Sequence, residues 1–147
     1  MPYTATYVDD GKGVLKKGTG HVTGLEIFTS ALQETANKDR PRGVRYALVD
    51  FSEATDLKIT PEDIRRIVEL NRKLAVTSPG ELVAIVAPAE LPYAMARLWH
   101  TLSDDIGWKR NVFHTRADAI YWLRKELQGA SDTASVLDEF PSLRLES

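Results

Sequence analysis

Between Val44 and Gln128, three short apolar runs alternate with three segments of helical periodicity, and no other feature constrains the fold as tightly. The runs are Val44–Asp50, Leu82–Ala87 and Val112–His114. A strand can reach a parallel neighbour only through a crossover, so strand–helix alternation reads as βα units and a largely parallel sheet. The expected class is α/β.

A chain of 147 residues fits one domain and can bury a sizeable core. Its net charge of −2 gives no general attraction to nucleic acid or anionic lipid. Cysteine is absent, which excludes disulfides, thiolate metal sites and a cysteine nucleophile. The start, Met-Pro-Tyr-Thr-Ala-Thr, lacks a basic region followed by an apolar run, and no apolar stretch approaches the ~20 residues that span a bilayer. A cytoplasmic protein without a membrane span is expected.

Tyr3–Val8 and Val14–Lys17, joined by Asp9-Asp10-Gly11-Lys12-Gly13, read as a hairpin. Thr23-Gly24-Leu25-Glu26 is a capping box opening a first helix with Leu25, Phe28, Leu32 and Ala36 on its inward face. Thr60-Pro61-Glu62-Asp63 starts a second helix, which buries Ile64, Ile67, Val68, Leu74 and Ala75. A third helix opens at Pro92 with Met95, Leu98, Trp99 and Leu102 inward. A fourth, capped from Thr115, buries Ile120, Leu123 and Leu127. Residues 1–128 form the domain. Residues 129–147 read as a polar tail, with one short helix expected from Thr133 to Glu139.

Two stretches carry a family resemblance. Tyr46-Ala47-Leu48-Val49-Asp50-Phe51 resembles the strand ending in aspartate that precedes the switch loop of STAS domains. Val112-Phe113-His114-Thr115-Arg116-Ala117-Asp118-Ala119-Ile120-Tyr121-Trp122-Leu123 is similar to the closing strand and helix of bacterial SpoIIAA-like proteins. The resemblance implies a SpoIIAA-like (STAS-like) single domain with a mixed five-stranded sheet and about four packing helices, related to the CRAL-TRIO lipid-binding domains. Family members that act on anti-sigma factors carry an Asp-Ser pair with a phosphorylatable serine. Here the region reads Asp56-Leu57-Lys58-Ile59-Thr60-Pro61-Glu62-Asp63. Thr60 is the only hydroxyl at that helix start, and its simpler role is capping. A phosphate on it would suit the helix dipole but meet Glu62 and Asp63.

Sites in parallel sheets form outside the carboxyl ends of the strands, which here should gather Asp50, Ser52, Thr55, Glu90 and His114. Asp50 beside His114 would suit general-base chemistry and a small hydrolase or isomerase, although strand-end Asp and Ser also cap loop amides. Gly18-Thr19-Gly20-His21-Val22-Thr23-Gly24 lacks the spacing of a phosphate-binding loop and reads as a plain loop. His21, His100 and His114 lie on separate elements without metal-ligand spacing, and His100 is placed on the outer side of its helix. No metal or cofactor is expected.

Tyr93, Trp99 and Trp122 cluster late in the chain and could pack the core, line a ligand cleft or form a contact patch. Asn71 interrupts the apolar stripe of the second helix and needs a partner, either a loop carbonyl or a ligand. Ile27 lies off the first helix's expected inward face and points to a contact surface. The leading expectation is a non-catalytic binding module for a protein partner or an apolar, lipid-like small molecule, acting as a homo-oligomer, a dimer.

Overall fold

Side-chain alternation along one central strand decides which helices lie on which side of the sheet. In the computed structural model, which describes residues 2–88 and 90–128, the strands are β1 (Tyr3–Val8), β2 (Gly13–Thr23), β3 (Tyr46–Lys58), β4 (Leu82–Val86) and β5 (Lys109–Phe113). The helices are α1 (Gly24–Ala36), α2 (Pro61–Thr77), α3 (Glu90–Leu102) and α4 (Arg116–Leu127). The strands lie side by side in chain order. β1 pairs with β2 antiparallel, and every later pairing is parallel. The described residues thus form an α/β domain with a mixed five-stranded sheet and four α-helices. No helix among the described residues is long and apolar enough to cross a membrane.

Ala47, Val49 and Phe51 of β3, with Val83 and Ile85 of β4, meet α1, α2 and α3. Their neighbours Tyr46 and Leu48, with Ala84 and Val86, meet Ala119, Ile120, Leu123 and Leu127 of α4. Sequential parallel strands joined by right-handed crossovers place successive helices on one face, and only the last helix is free to cover the other. Burial on both faces explains why β3 and β4 read as continuous apolar runs.

The helix starts follow the sequence. Thr23 Oγ1 accepts from Glu26 N (3.2 Å), and Glu26 Oε1 accepts from Thr23 N (2.9 Å). Thr60 and Asp63 make the same reciprocal pair before Pro61. Thr115 Oγ1 accepts from Asp118 N at 3.1 Å.

Other expectations are corrected. β2, at 11 residues, and β3, at 13, both run well past their expected ends at Lys17 and Asp50. The glycine-rich stretch read as a loop is the second half of β2, paired with the extension of β3 from Glu53 to Lys58. Register shifts flank Gly18 and fall after Gly20, whose φ is +63°, as at strand irregularities that glycine permits. The inward face of α1 is also rotated. Gly24, Ala31 and Glu34 are buried, whereas Leu25 and Leu32 are 70% and 47% exposed. Gly24 lies so close to α2 that a Cβ there would stand 2.2 Å from Asp63 Oδ2. α3 begins at Glu90, two residues before Pro92. His100 is half-buried and not free in solvent: its Nε2 lies 3.1 Å from the carbonyl oxygen of Arg110 and ties α3 to β5. The expected tail helix lies outside the described residues.

Gly13 offers a test of this packing. It pairs with Tyr46, whose ring lies across it, so an added Cβ would fall 2.2 Å from Tyr46 Cζ. Gly13→Ala should destabilise the fold by about 1–3 kcal/mol, the usual range for overpacking, measured as a lower urea midpoint at unchanged slope.

Candidate functional site

Helices laid against a sheet ordinarily close the space between them, but here a cavity remains. It lies between the sheet and α1–α3, with Ala47, Val49, Val83 and Ile85 on the sheet side. Ile64, Ile67 and Leu74 of α2, with Ala96 and Trp99 of α3, form the opposite wall. Its volume is about 90 Å³. One water needs only about 10–15 Å³ on such a measure. Val49 sits on the central strand, facing the helices, yet stays only half-buried. The partly exposed lining residues Ile27, Ile59 and Met95 are where the cavity meets solvent.

Two polar features break the apolar lining. In the α2 wall, the indole N–H of Trp99 donates to Asn71 Oδ1 at 2.8 Å. Because an indole only donates, the amide orientation is fixed, and the Asn71 NH₂ is left without a partner among the described residues. Asn71 is thus satisfied neither by a loop carbonyl nor by that indole alone.

The second feature is a charged cluster closing one end. Lys16 on β2 pairs with Glu34 Oε1 at 2.8 Å. Arg40, from the α1–β3 connection, donates through Nη2 to Glu34 Oε2 at 3.1 Å and through Nη1 to Ser78 Oγ at 2.8 Å. Glu81 completes the set at 4% exposure, its Oε1 lying 3.6 Å from Arg40 Nη2 and beyond hydrogen-bond reach. Trp108 seals this end, its indole donating to the carbonyl oxygen of Ser78 at 2.8 Å.

The two carboxyl groups titrate in opposite directions. Burial raises Glu81 to about 7, against the opposing pull of Lys16 and Arg40. Burial acts on Glu34 in the same sense, but Lys16 and Arg40 together outweigh it and hold Glu34 below its ordinary value. Burial pushes the Tyr3 hydroxyl up to about 12. Lys16 is held above its ordinary value because Glu34 and its other acidic neighbours overcome the desolvation that would lower it.

The carboxyl edge of the sheet is differently built. Asp50 is level with the ends of β4 and β5, but β3 continues eight residues past it. Its side chain faces α4, in step with Tyr46 and Leu48, and is 0% exposed. Oδ1 accepts from Ser52 N (2.8 Å) and Ser52 Oγ (2.6 Å). Oδ2 accepts from Arg116 Nε (2.9 Å) and from Nη2. His114 instead turns to α3, where its ring stacks on Tyr93 with centroids 4.0 Å apart and planes within 12°. No hydrogen bond joins His114 to Asp50 among the described residues. The acid and the imidazole are therefore not brought together, and the Asp50 carboxylate anchors the start of α4.

Of the residues singled out in the sequence, Ile27, Asn71 and Trp99 share the cavity. Tyr93, in the first turn of α3, stacks on His114, and Trp122 lies on the α4 face, tilted on Phe113. Thr60 serves as a cap. No group of three or more His, Asp or Glu among the described residues is placed to hold a metal ion. Lys16, Glu34, Arg40 and Glu81 were not singled out by sequence. The available signal was the spacing of Ile27, Ala31 and Glu34, which puts an acid on an apolar helix stripe. Comparison with family models, curated proteins and solved structures gives no match.

Two outcomes test these assignments. The folded-state value of Glu81 lies above its unfolded value of 4.5, so its contribution to stability is complete below about pH 4.5 and is lost as pH rises through about 7. Glu81→Gln should therefore raise stability at about pH 8, by on the order of 3 kcal/mol, with the gain vanishing toward about pH 4.5 in denaturant titrations. Arg116→Met leaves the Asp50 carboxylate buried without its cation and should cost about 3–5 kcal/mol, whereas Asp50→Asn with Arg116→Met should recover part of that loss.

Proposed function

We propose that this chain is a non-catalytic SpoIIAA-like binding module whose ligand is an apolar small molecule held between the sheet and α1–α3. The observation that carries this reading is the half-buried Val49 in a cavity of about 90 Å³, at a position where an α/β core is ordinarily closed. Apolar cavities of moderate size take up hydrocarbons readily, because their walls lack contact partners and ordered water gains little there. The sequential strand order and the helix cover on both faces agree with the family resemblance. That resemblance, through the CRAL-TRIO domains, adds a lipid-like ligand as the sharper form of the proposal.

The enzymatic alternative loses its geometric basis, since Asp50 is enclosed by Ser52 and Arg116 and His114 is stacked on Tyr93. Between a protein partner and a small molecule, the interior cavity favours the small molecule.

Toluene provides the direct test. Added to the purified protein, it should shift the indole N–H resonances of Trp99 and Trp108, which line the cavity, and leave that of Trp122 on the opposite face unmoved. Ala96→Leu, which fills the cavity from α3, should weaken this response by about tenfold or more without lowering the melting temperature. A titration that moves none of the three signals, with native mass spectra free of any retained small molecule, would remove the proposal.

A further inference from the structure

The charged end of the cavity carries chemistry that a purely apolar ligand would not use. We propose that this end selects ligands bearing a neutral hydrogen-bond donor, a hydroxyl on a single aromatic ring or short alkyl chain, which the Glu81 carboxylate accepts. The proposal rests on the cavity being a ligand site.

Glu81 Oε1 is buried and receives no hydrogen bond, with its nearest cation at 3.6 Å. A buried acceptor without a donor is unfavourable, and a site containing one favours ligands that supply the missing proton. The neighbouring charges are already matched. Lys16 and Arg40 divide the two oxygens of Glu34 between them, and Arg40 also holds Ser78. An anionic head would join two carboxyl groups in a desolvated space, and a cationic head would join two cations. A neutral donor adds no charge. The space, about 90 Å³, holds one ring or a short chain against this end, with longer substituents directed toward Ile59 and Met95.

The same geometry couples binding to pH. The groups facing Glu81 are Lys16 from β2, Glu34 from α1 and Arg40 from the α1–β3 connection, with Tyr3 of β1 beyond Lys16. Arg45 and Lys109 reach this segment through backbone hydrogen bonds, Leu82 N to the Arg45 carbonyl and Lys109 N to the Glu81 carbonyl. A hydroxyl donating to Glu81 stabilises its ionised form, so binding releases a proton and strengthens as pH rises through the range in which Glu81 titrates.

The test compares phenol with toluene, its isostere lacking the donor, and with benzoate and benzylammonium, by titrating the indole N–H resonances at about pH 6 and about pH 8. Phenol should bind about tenfold more tightly than toluene at the higher pH, and severalfold more tightly there than at the lower. Glu81→Gln, which keeps an acceptor oxygen, should retain a preference for phenol and lose its pH dependence. Glu81→Leu should bind toluene and phenol alike. If the unmodified protein binds toluene as tightly as phenol, or binds either charged probe best, the cavity reading stands and the donor selection is overturned. If no probe binds, both fall.

Discussion

Glu34 lies on α1 with its two carboxylate oxygens divided between Lys16 of β2 and Arg40 of the segment that leads into β3. Removing three charges from water is costly unless each is matched, and here the matching fixes the positions of three segments at once. It rotates α1 so that Glu34 faces inward and Leu25 and Leu32 face outward. It also draws the α1–β3 connection over the end of the sheet, where the Arg40 guanidinium lies 5.9 Å from the centroid of the Tyr7 ring. Because Lys16 and Arg40 are both spent on Glu34, the fourth charged group, Glu81, is left beside them without a hydrogen-bond donor. The polar end of the cavity follows from that imbalance.

The remainder of the cavity follows from the lengths of the strands. β4 ends at Val86, opposite Asp50, while β2 and β3 run on together to Thr23 and Lys58. The helices must therefore cover a sheet that is wide at one end and two strands across at the other. α1 and α2 start level with the protruding pair, and Asp63 packs tightly against Gly24 there. α3 starts after the shorter β4 and reaches the sheet lower down, through Ala96 and Trp99. Helices anchored at different heights leave space between them, and Val49 and Met95 border it. Tyr93 stacked on His114 then fixes the first turn of α3.

The parts of this arrangement that could be read from the sequence are those with local causes. The caps at Thr23, Thr60 and Thr115 depend on residues three apart, and the doubly buried runs of β3 and β4 announce themselves as apolar stretches. The extensions of β2 and β3 gave no such signal. Thr19, His21 and Thr23 pair with Glu53, Asp56 and Lys58 where the sheet protrudes, so polar residues occupy positions where alternation would ordinarily be sought. The charged cluster was harder still. Lys16, Glu34, Arg40 and Glu81 come from four segments, and apart from Glu34, which shares a stripe with Ile27 and Ala31, each taken alone has the appearance of a surface charge. Asn71 was conspicuous because a single amide on an apolar stripe demands a partner, although that partner, the Trp99 indole, lies 28 residues away.

The acid and imidazole expected at the carboxyl ends of the parallel strands stay apart for a physical reason. Asp50 does stand at that edge, but its parity sends it to the α4 side, where Arg116 at the start of α4 takes one oxygen and Ser52 the other. A carboxylate with both oxygens occupied and no exposure serves as an anchor, because any reaction would first have to break an ion pair in a desolvated place. Glu81 presents the reverse case. It precedes the opposite end of β4, far from the edge where a site would be sought, yet it keeps an open acceptor beside an accessible cavity. Reactivity toward a ligand depends on which polar group the fold leaves incomplete, and the two acids differ in that respect more than in their burial.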